Sequence, residues 1–146
     1  MTTNQPSKKI ETVWARLVRA HHCALSRIEA DLKKAELPPL GWYDALLELE
    51  RAGACGLRPF ELEQQLLLPQ YGLSRLLQRL ELAGYVTRWR CEQDGRGQVV
   101  SITDQGREVR ERMWPVYAAA LQDVVGEKLD DQQAKELADL LGGLME

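Results

Sequence analysis

Leu73, Leu76, Leu77 and Leu80 stand at i, i+3, i+4 and i+7, a spacing that stacks four apolar side chains on one face and predicts a helix over 69–83. At about 100° of rotation per residue, Tyr71, Ser74, Arg75, Gln78 and Arg79 fall on the opposite face, with Leu82 among them. Upstream, 58–68 reads as a shorter helix with Pro59 in its first turn, where the missing N–H costs nothing. The two helices, joined through Leu67 to Gly72, form a helix-turn-helix. Gly84 ends the second of them. The stretch 85–91 then alternates as a strand, with Val86, Arg88 and Arg90 on one side and Thr87 and Trp89 on the other. Gln93 to Gly97 is rich in residues that tolerate turn geometry, and 98–103 returns as a second strand. A helix-turn-helix followed by a hairpin is a winged helix.

On the N-terminal side, 7–34 carries a long apolar stripe (Ile10, Val13, Trp14, Leu17, Val18, Ala24, Leu25, Ile28, Leu32). A domain of this size does not cover a stripe of that length, so part of it is expected to face a partner. Leu37-Pro38-Pro39-Leu40 breaks the helix, and a second helix, 41–51, stops at Gly53. Cys55 to Leu57 is placed to add a minor strand to the wing. After the hairpin, Thr103 and Asp104 supply helix-start chemistry for a long helix through Met113, Val116, Tyr117, Leu121 and Val125. Pro115 within it predicts a kink near 111–114. Gly126 to Asp130 makes a break, and 131–145 is a last amphipathic helix whose Leu137, Leu140, Leu141 and Leu144 need cover. The fold class is therefore mainly α with a small β-hairpin wing, and 146 residues suit one domain.

Charge changes this picture only once it is divided along the chain. The net formal charge is −3, yet 111–146 holds eight acids against three bases, whereas 69–98 holds five arginines against three acids. The helix and wing are locally positive, and phosphate binding responds to the local field. No stretch approaches the roughly 20 apolar residues needed to span a bilayer. With no basic leader followed by an apolar run, the chain is expected to be cytoplasmic and not bound to a membrane. Three widely spaced cysteines (Cys23, Cys55, Cys91) argue against a disulfide framework.

The run Leu73-Ser-Arg-Leu-Leu-Gln-Arg-Leu-Glu through Ala83-Gly84-Tyr-Val, with Asp94-Gly-Arg96 and Val99-Val-Ser-Ile-Thr103-Asp-Gln-Gly106, resembles the MarR family of bacterial transcription regulators. Element order and length agree over nearly the whole chain. The resemblance implies a homodimer that binds double-stranded DNA at a palindromic operator. Within one domain spanning 1–146, residues 41–104 would be the winged helix-turn-helix. Residues 7–36 and 105–146 would be the helical dimerisation part, where the first and last helices of two subunits interleave. Gln70, Tyr71, Ser74 and Arg75 become base or phosphate contacts, with Gln78, Arg79, Arg88 and Arg90 on the same positive surface. Arg96 would enter the minor groove from the wing, restrained by Asp94 through a salt bridge. A small aromatic or phenolic effector is implied between the dimerisation helices and the winged helix, with Trp14, His21, Trp42, Tyr43 and Met113 as its lining.

Other chemistries fit less well. His21, His22 and Cys23 are consecutive helical residues pointing about 100° apart, so they do not converge on one metal ion. No nucleophile with a paired base, carboxylate constellation, ligand-spaced Cys/His set or glycine-rich phosphate loop is present, so neither an enzyme nor a cofactor is expected. A redox role for Cys23 is not favoured, because it lies away from the apolar stripe with no flanking tyrosine pair. The remaining alternative is a winged-helix protein-interaction module without specific DNA binding.

Overall fold

The structure, a computed structural model, describes residues 4–90 and 97–146. Helix α1 (Lys8–Lys34) starts where Ser7 Oγ accepts the Ile10 N–H, and α2 (Leu40–Ala52) follows the Pro38-Pro39 break. Pro39 has no side-chain group with which to cap α2. Glu29 of α1 does so instead: its Oε1 accepts the Leu40 N–H at 2.6 Å, so the start of α2 is pinned to α1.

A short 3₁₀ turn (Gly53–Cys55) leads to α3 (Pro59–Gln65). Pro59 occupies the first turn as expected, and Glu61 Oε1 accepts the Arg58 N–H at 3.0 Å. Helix α3 ends at Gln65, short of the expected 68, and α4 (Leu73–Leu82) begins well after 69. One carboxylate explains the first difference. Asp44 of α2 accepts the Leu67 N–H on Oδ1 (3.1 Å) and the Leu68 N–H on Oδ2 (2.8 Å), taking amides that a longer α3 would have used within the helix. Gly72, at φ 144°, stands outside helical geometry and delays α4. Gln70 and Tyr71 therefore lie in the joint and not on the helix.

Leu76, Leu77 and Leu80 of α4 are buried, and Leu73 is half-buried beside them. Gly84 turns the chain out of α4 as expected, with the Tyr85 N–H returning to the Leu80 carbonyl at 2.9 Å. Strands β1 (Val86–Arg90) and β2 (Gln98–Ile102) then pair antiparallel, Val86 opposite Ile102 and Arg90 opposite Gln98. The expected minor strand is a single bridge, with Leu57 exchanging two hydrogen bonds with Val100.

Helix α5 (Asp104–Val124) runs through Pro115, and its first turn is tied to the end of α4. Thr103 Oγ1 donates to the Gly84 carbonyl at 2.6 Å and accepts the Gly106 N–H at 3.1 Å. A Cβ at Gly106 would overlap the Tyr85 carbonyl oxygen. Gly106→Ala is expected to cost about 1–3 kcal/mol through this overlap, seen as a lowered thermal midpoint with the helical content retained.

The core is built mainly from α2, α4, the wing and the middle of α5. Leu46, Leu49, Leu62, Leu80, Val100 and Met113 are fully enclosed, with Ile28 and Leu32 from the C-terminal half of α1. Arg27 joins α1 to α5 by pairing with Asp31 (3.0 Å) and Asp123 (2.9 Å), and Arg110 of α5 pairs with Glu50 of α2. Two apolar surfaces stay uncovered. Ile10, Val13, Trp14 and Val18 of α1 are exposed. Helix α6 (Asp131–Gly143) is well capped, since Asp130 and Gln133 exchange side-chain-to-backbone bonds, yet it buries none of its residues. Among the described residues no helix is long and apolar enough to cross a membrane.

Candidate nucleic-acid interface

With three leucines of α4 turned inward, Ser74, Arg75, Gln78 and Arg79 are left exposed on its outer face. Arg75 and Arg79 stand one turn apart, and among the described residues neither has an ion-pair partner, so both guanidinium groups are available to an incoming anion. Tyr71 projects from the joint beside them fully exposed. Gln70 behaves differently: half-buried, its amide packs over Gly41 at the start of α2.

The wing arginines divide. Arg90 is exposed, but Arg88 is half-buried in the middle of β1, its Nε 3.8 Å from Glu81 Oε1 of α4. Arg88 lines a recess between helix and wing together with Ser74, Arg75, Gln78 and Glu81. In this geometry its charge lies beside that of Glu81, at the seam between the wing and α4. Arg96 and Asp94 lie outside the described residues.

The five residues expected to line one effector pocket are not brought together. His21 and Trp42 share a cavity of about 480 Å³ with Gln70, Tyr71, Arg75 and Arg79. Tyr43 instead lines a second cavity, of about 590 Å³, with Asp44, Glu48, Trp114 and Tyr117. Met113 is fully enclosed in the core and reaches neither cavity. Trp14 sits two-thirds exposed on the uncovered half of α1, away from both. Helical spacing placed apolar residues on faces but not on opposite sides of α2, where Trp42 and Tyr43 diverge.

Two residues that matter for the interface were not singled out from sequence. Asp44 fixes the joint and Glu29 fixes the start of α2. Asp44 did leave a signal: Leu40, Asp44 and Leu47 share one face at i, i+4 and i+7, and a charge on a buried face needs partners.

A helix-turn-helix whose second helix presents exposed arginines, followed by an antiparallel wing, defines a winged-helix reader of duplex DNA. The MarR family profile matches residues 36–97. An HTH-type transcriptional regulator of Bacillus cereus is 30% identical over 129 residues, covering 88% of this chain and 84% of that protein. The chain belongs to the MarR family of winged helix-turn-helix, DNA-binding transcriptional regulators, and it is not an enzyme. Its fold is similar to that of Sco3205, a MarR family transcriptional regulator from Streptomyces coelicolor solved in complex with DNA. The TM-score is 0.88 at 26% identity, over 99% of this chain and 90% of that one. The same fold is found in Bordetella bronchiseptica BpsR, whose DNA binding is regulated by 6-hydroxynicotinic acid. There the TM-score is 0.82 at 20% identity, over 97% and 99% of the two chains.

Proposed function

We propose that two copies of this chain bind a palindromic operator as a homodimer, each inserting α4 into a major groove, and that a small aromatic acid releases them. The observation that carries this reading is the exposed pair Arg75 and Arg79, without an ion-pair partner among the described residues, on a helix whose other face is anchored in the core. Residues 41–104 then act as the DNA-reading part, with 7–36 and 105–146 as the dimerising part. The uncovered leucines of α6 and the apolar N-terminal half of α1 support that division. A two-fold dimer places its two reading helices on half-sites about one helical turn apart and doubles a positive patch that is thin in one subunit.

The effector reading draws on the cavity that holds His21 and Trp42. An aromatic carboxylate there would stack on Trp42 and pair with Arg75 and Arg79, the groups proposed to grip DNA. Ligand and operator would compete for the same two charges, and occupancy would lower operator affinity. BpsR, regulated by a pyridine carboxylic acid, supports this class of ligand. A thermal-shift screen of aromatic carboxylates should stabilise the wild-type protein and stabilise His21→Ala less; equal responses would remove His21 from the site.

Fluorescence anisotropy on the DNA upstream of the protein's own gene tests the DNA reading. Arg75→Ala is expected to weaken specific binding by about 1–3 kcal/mol, roughly fivefold to 150-fold, with discrimination lost at one base position. Arg96→Ala should weaken binding across many sequences with the fold intact. Unchanged affinity of both variants at physiological salt would count against the proposed contacts.

A further inference from the structure

The side of α4 turned toward the wing carries a carboxylate, although a helix lying among DNA phosphates is repelled by one. Ser74, Gln78 and Glu81 stand at i, i+4 and i+7 and share that side of the helix, while Arg75 and Arg79 lie further around its axis. Arg88 of β1 stands across from Glu81. Together Ser74, Arg75, Gln78, Glu81 and Arg88 line a recess of about 240 Å³, room for a phosphate group. Its polar groups are a hydroxyl, an amide and two guanidinium groups against a single carboxylate.

The two opposite charges are loosely paired. Arg88 Nε lies 3.8 Å from Glu81 Oε1, beyond the roughly 2.7–3.2 Å of an N–H···O hydrogen bond. This nitrogen is buried, yet it has no hydrogen-bond partner among the described residues. Arg27, by contrast, meets its two carboxylates at 3.0 and 2.9 Å. Turning the Arg88 guanidinium toward an incoming oxyanion therefore gives up no hydrogen bond to Glu81. Glu81 itself is half-exposed, so its charge is felt by whatever approaches this side of α4.

We propose that this recess seats one phosphate group and that Glu81 makes the seat selective. A major groove about 12 Å wide is filled by a helix about 10–12 Å across, so each flank of α4 meets one sugar-phosphate backbone. The wing-side flank is the recess. A phosphate lodged there is held by Ser74, Gln78 and Arg88, and the planar Arg88 fork stands between it and Glu81, screening one anion from the other. A duplex lying on α4 out of register leaves its phosphates facing Glu81 without that screen. The repulsion then opposes non-specific binding more than it opposes the seated complex. Glu81 is thus a specificity-determining residue that acts through Arg88 and touches neither base nor phosphate. That the phosphate belongs to DNA rests on the DNA-reading proposal; that the recess takes an oxyanion does not.

The test starts without DNA. The full-length protein with ¹⁵N-labelled arginine is titrated with inorganic phosphate at constant ionic strength, with chloride as control. The Arg88 Nε–H resonance should move with phosphate, and Glu81→Gln should tighten that response about threefold or more. No movement beyond that in chloride, or the same response in both proteins, would overturn the seat. Anisotropy then compares a random duplex with the DNA upstream of the protein's own gene. Glu81→Gln should raise affinity for the random duplex about three- to tenfold and for the operator about twofold at most, so that their ratio falls. Equal gains, or no gain, would overturn the selective role. Replacing the half-site phosphates one at a time by methylphosphonate should find one whose loss weakens wild type about fivefold or more and leaves Arg88→Gln unaffected. Arg88→Gln should also lower the log–log salt slope by about one. If no phosphate behaves in this way, the seat does not hold the DNA backbone. Circular dichroism checks that both variants fold. A wild type that prefers no sequence strikes the DNA-reading proposal alone, since the phosphate titration is read without DNA.

Discussion

Asp44→Ala is expected to lower the stability of the protein by about 2–4 kcal/mol and operator affinity by at least tenfold. Both carboxylate oxygens accept a backbone N–H, from Leu67 and Leu68, and Asp44 is 6% exposed. A hydrogen bond to a charged group contributes about 1.5–3 kcal/mol, and a partly buried amide that loses its acceptor is left with only partial access to water. The second consequence is geometric. With the joint released, Leu66 to Tyr71 gain alternative conformations, and α4 keeps its leucine contacts but loses the tether that sets its approach to α3. Asp44→Asn retains one acceptor oxygen and should fall between wild type and alanine in both respects. Urea denaturation and anisotropy, run on the same preparations, check the two effects. If Asp44→Ala left both unchanged, the joint would be held by the leucine packing alone.

Leu137→Asp combined with Leu140→Asp should give a protein that folds but no longer forms the proposed homodimer. The two leucines are 43% and 71% exposed, and α6 has no fully buried residue, so the core does not depend on them. Burying a leucine side chain at an interface contributes about 1.5–3 kcal/mol, so removing two costs the dimer roughly 3–6 kcal/mol before the added charges are considered. That is about a hundredfold to ten-thousandfold in the dimer dissociation constant. Operator affinity should fall with it, because one subunit on one half-site loses the gain from engaging two half-sites together. Sedimentation equilibrium with circular dichroism decides the matter: a monomer with wild-type helicity is expected, and an intact dimer would place the interface elsewhere.

What could be read from the chain follows from which forces act locally. The leucine spacing of α4, the prolines before α2 and at α3, and the Gly84 exit each act within a turn of helix, and each appears in the structure where the pattern put it. The end of α3 did not follow, because it is set by a carboxylate more than twenty residues away in sequence, and the late start of α4 is set by the backbone at Gly72. Arg88 looked like its neighbour Arg90 in the strand alternation. Only the packing of the wing on α4 separates a half-buried partner of Glu81 from an exposed cation. The placement of the expected effector residues is the least legible in the sequence, since a cavity is defined by the relative placement of several elements. Trp42 and Tyr43 are adjacent in sequence and face different cavities.

The most direct measurement is the stoichiometry and salt dependence of binding to the DNA upstream of the protein's own gene, titrated from about 50 to 200 mM salt. A dimeric reader with arginines on phosphates and bases gives two chains per duplex, footprints on two half-sites about one helical turn apart, and affinity falling by orders of magnitude across that range. Binding by a single chain, or affinity no greater than for random duplex and indifferent to salt, would contradict it.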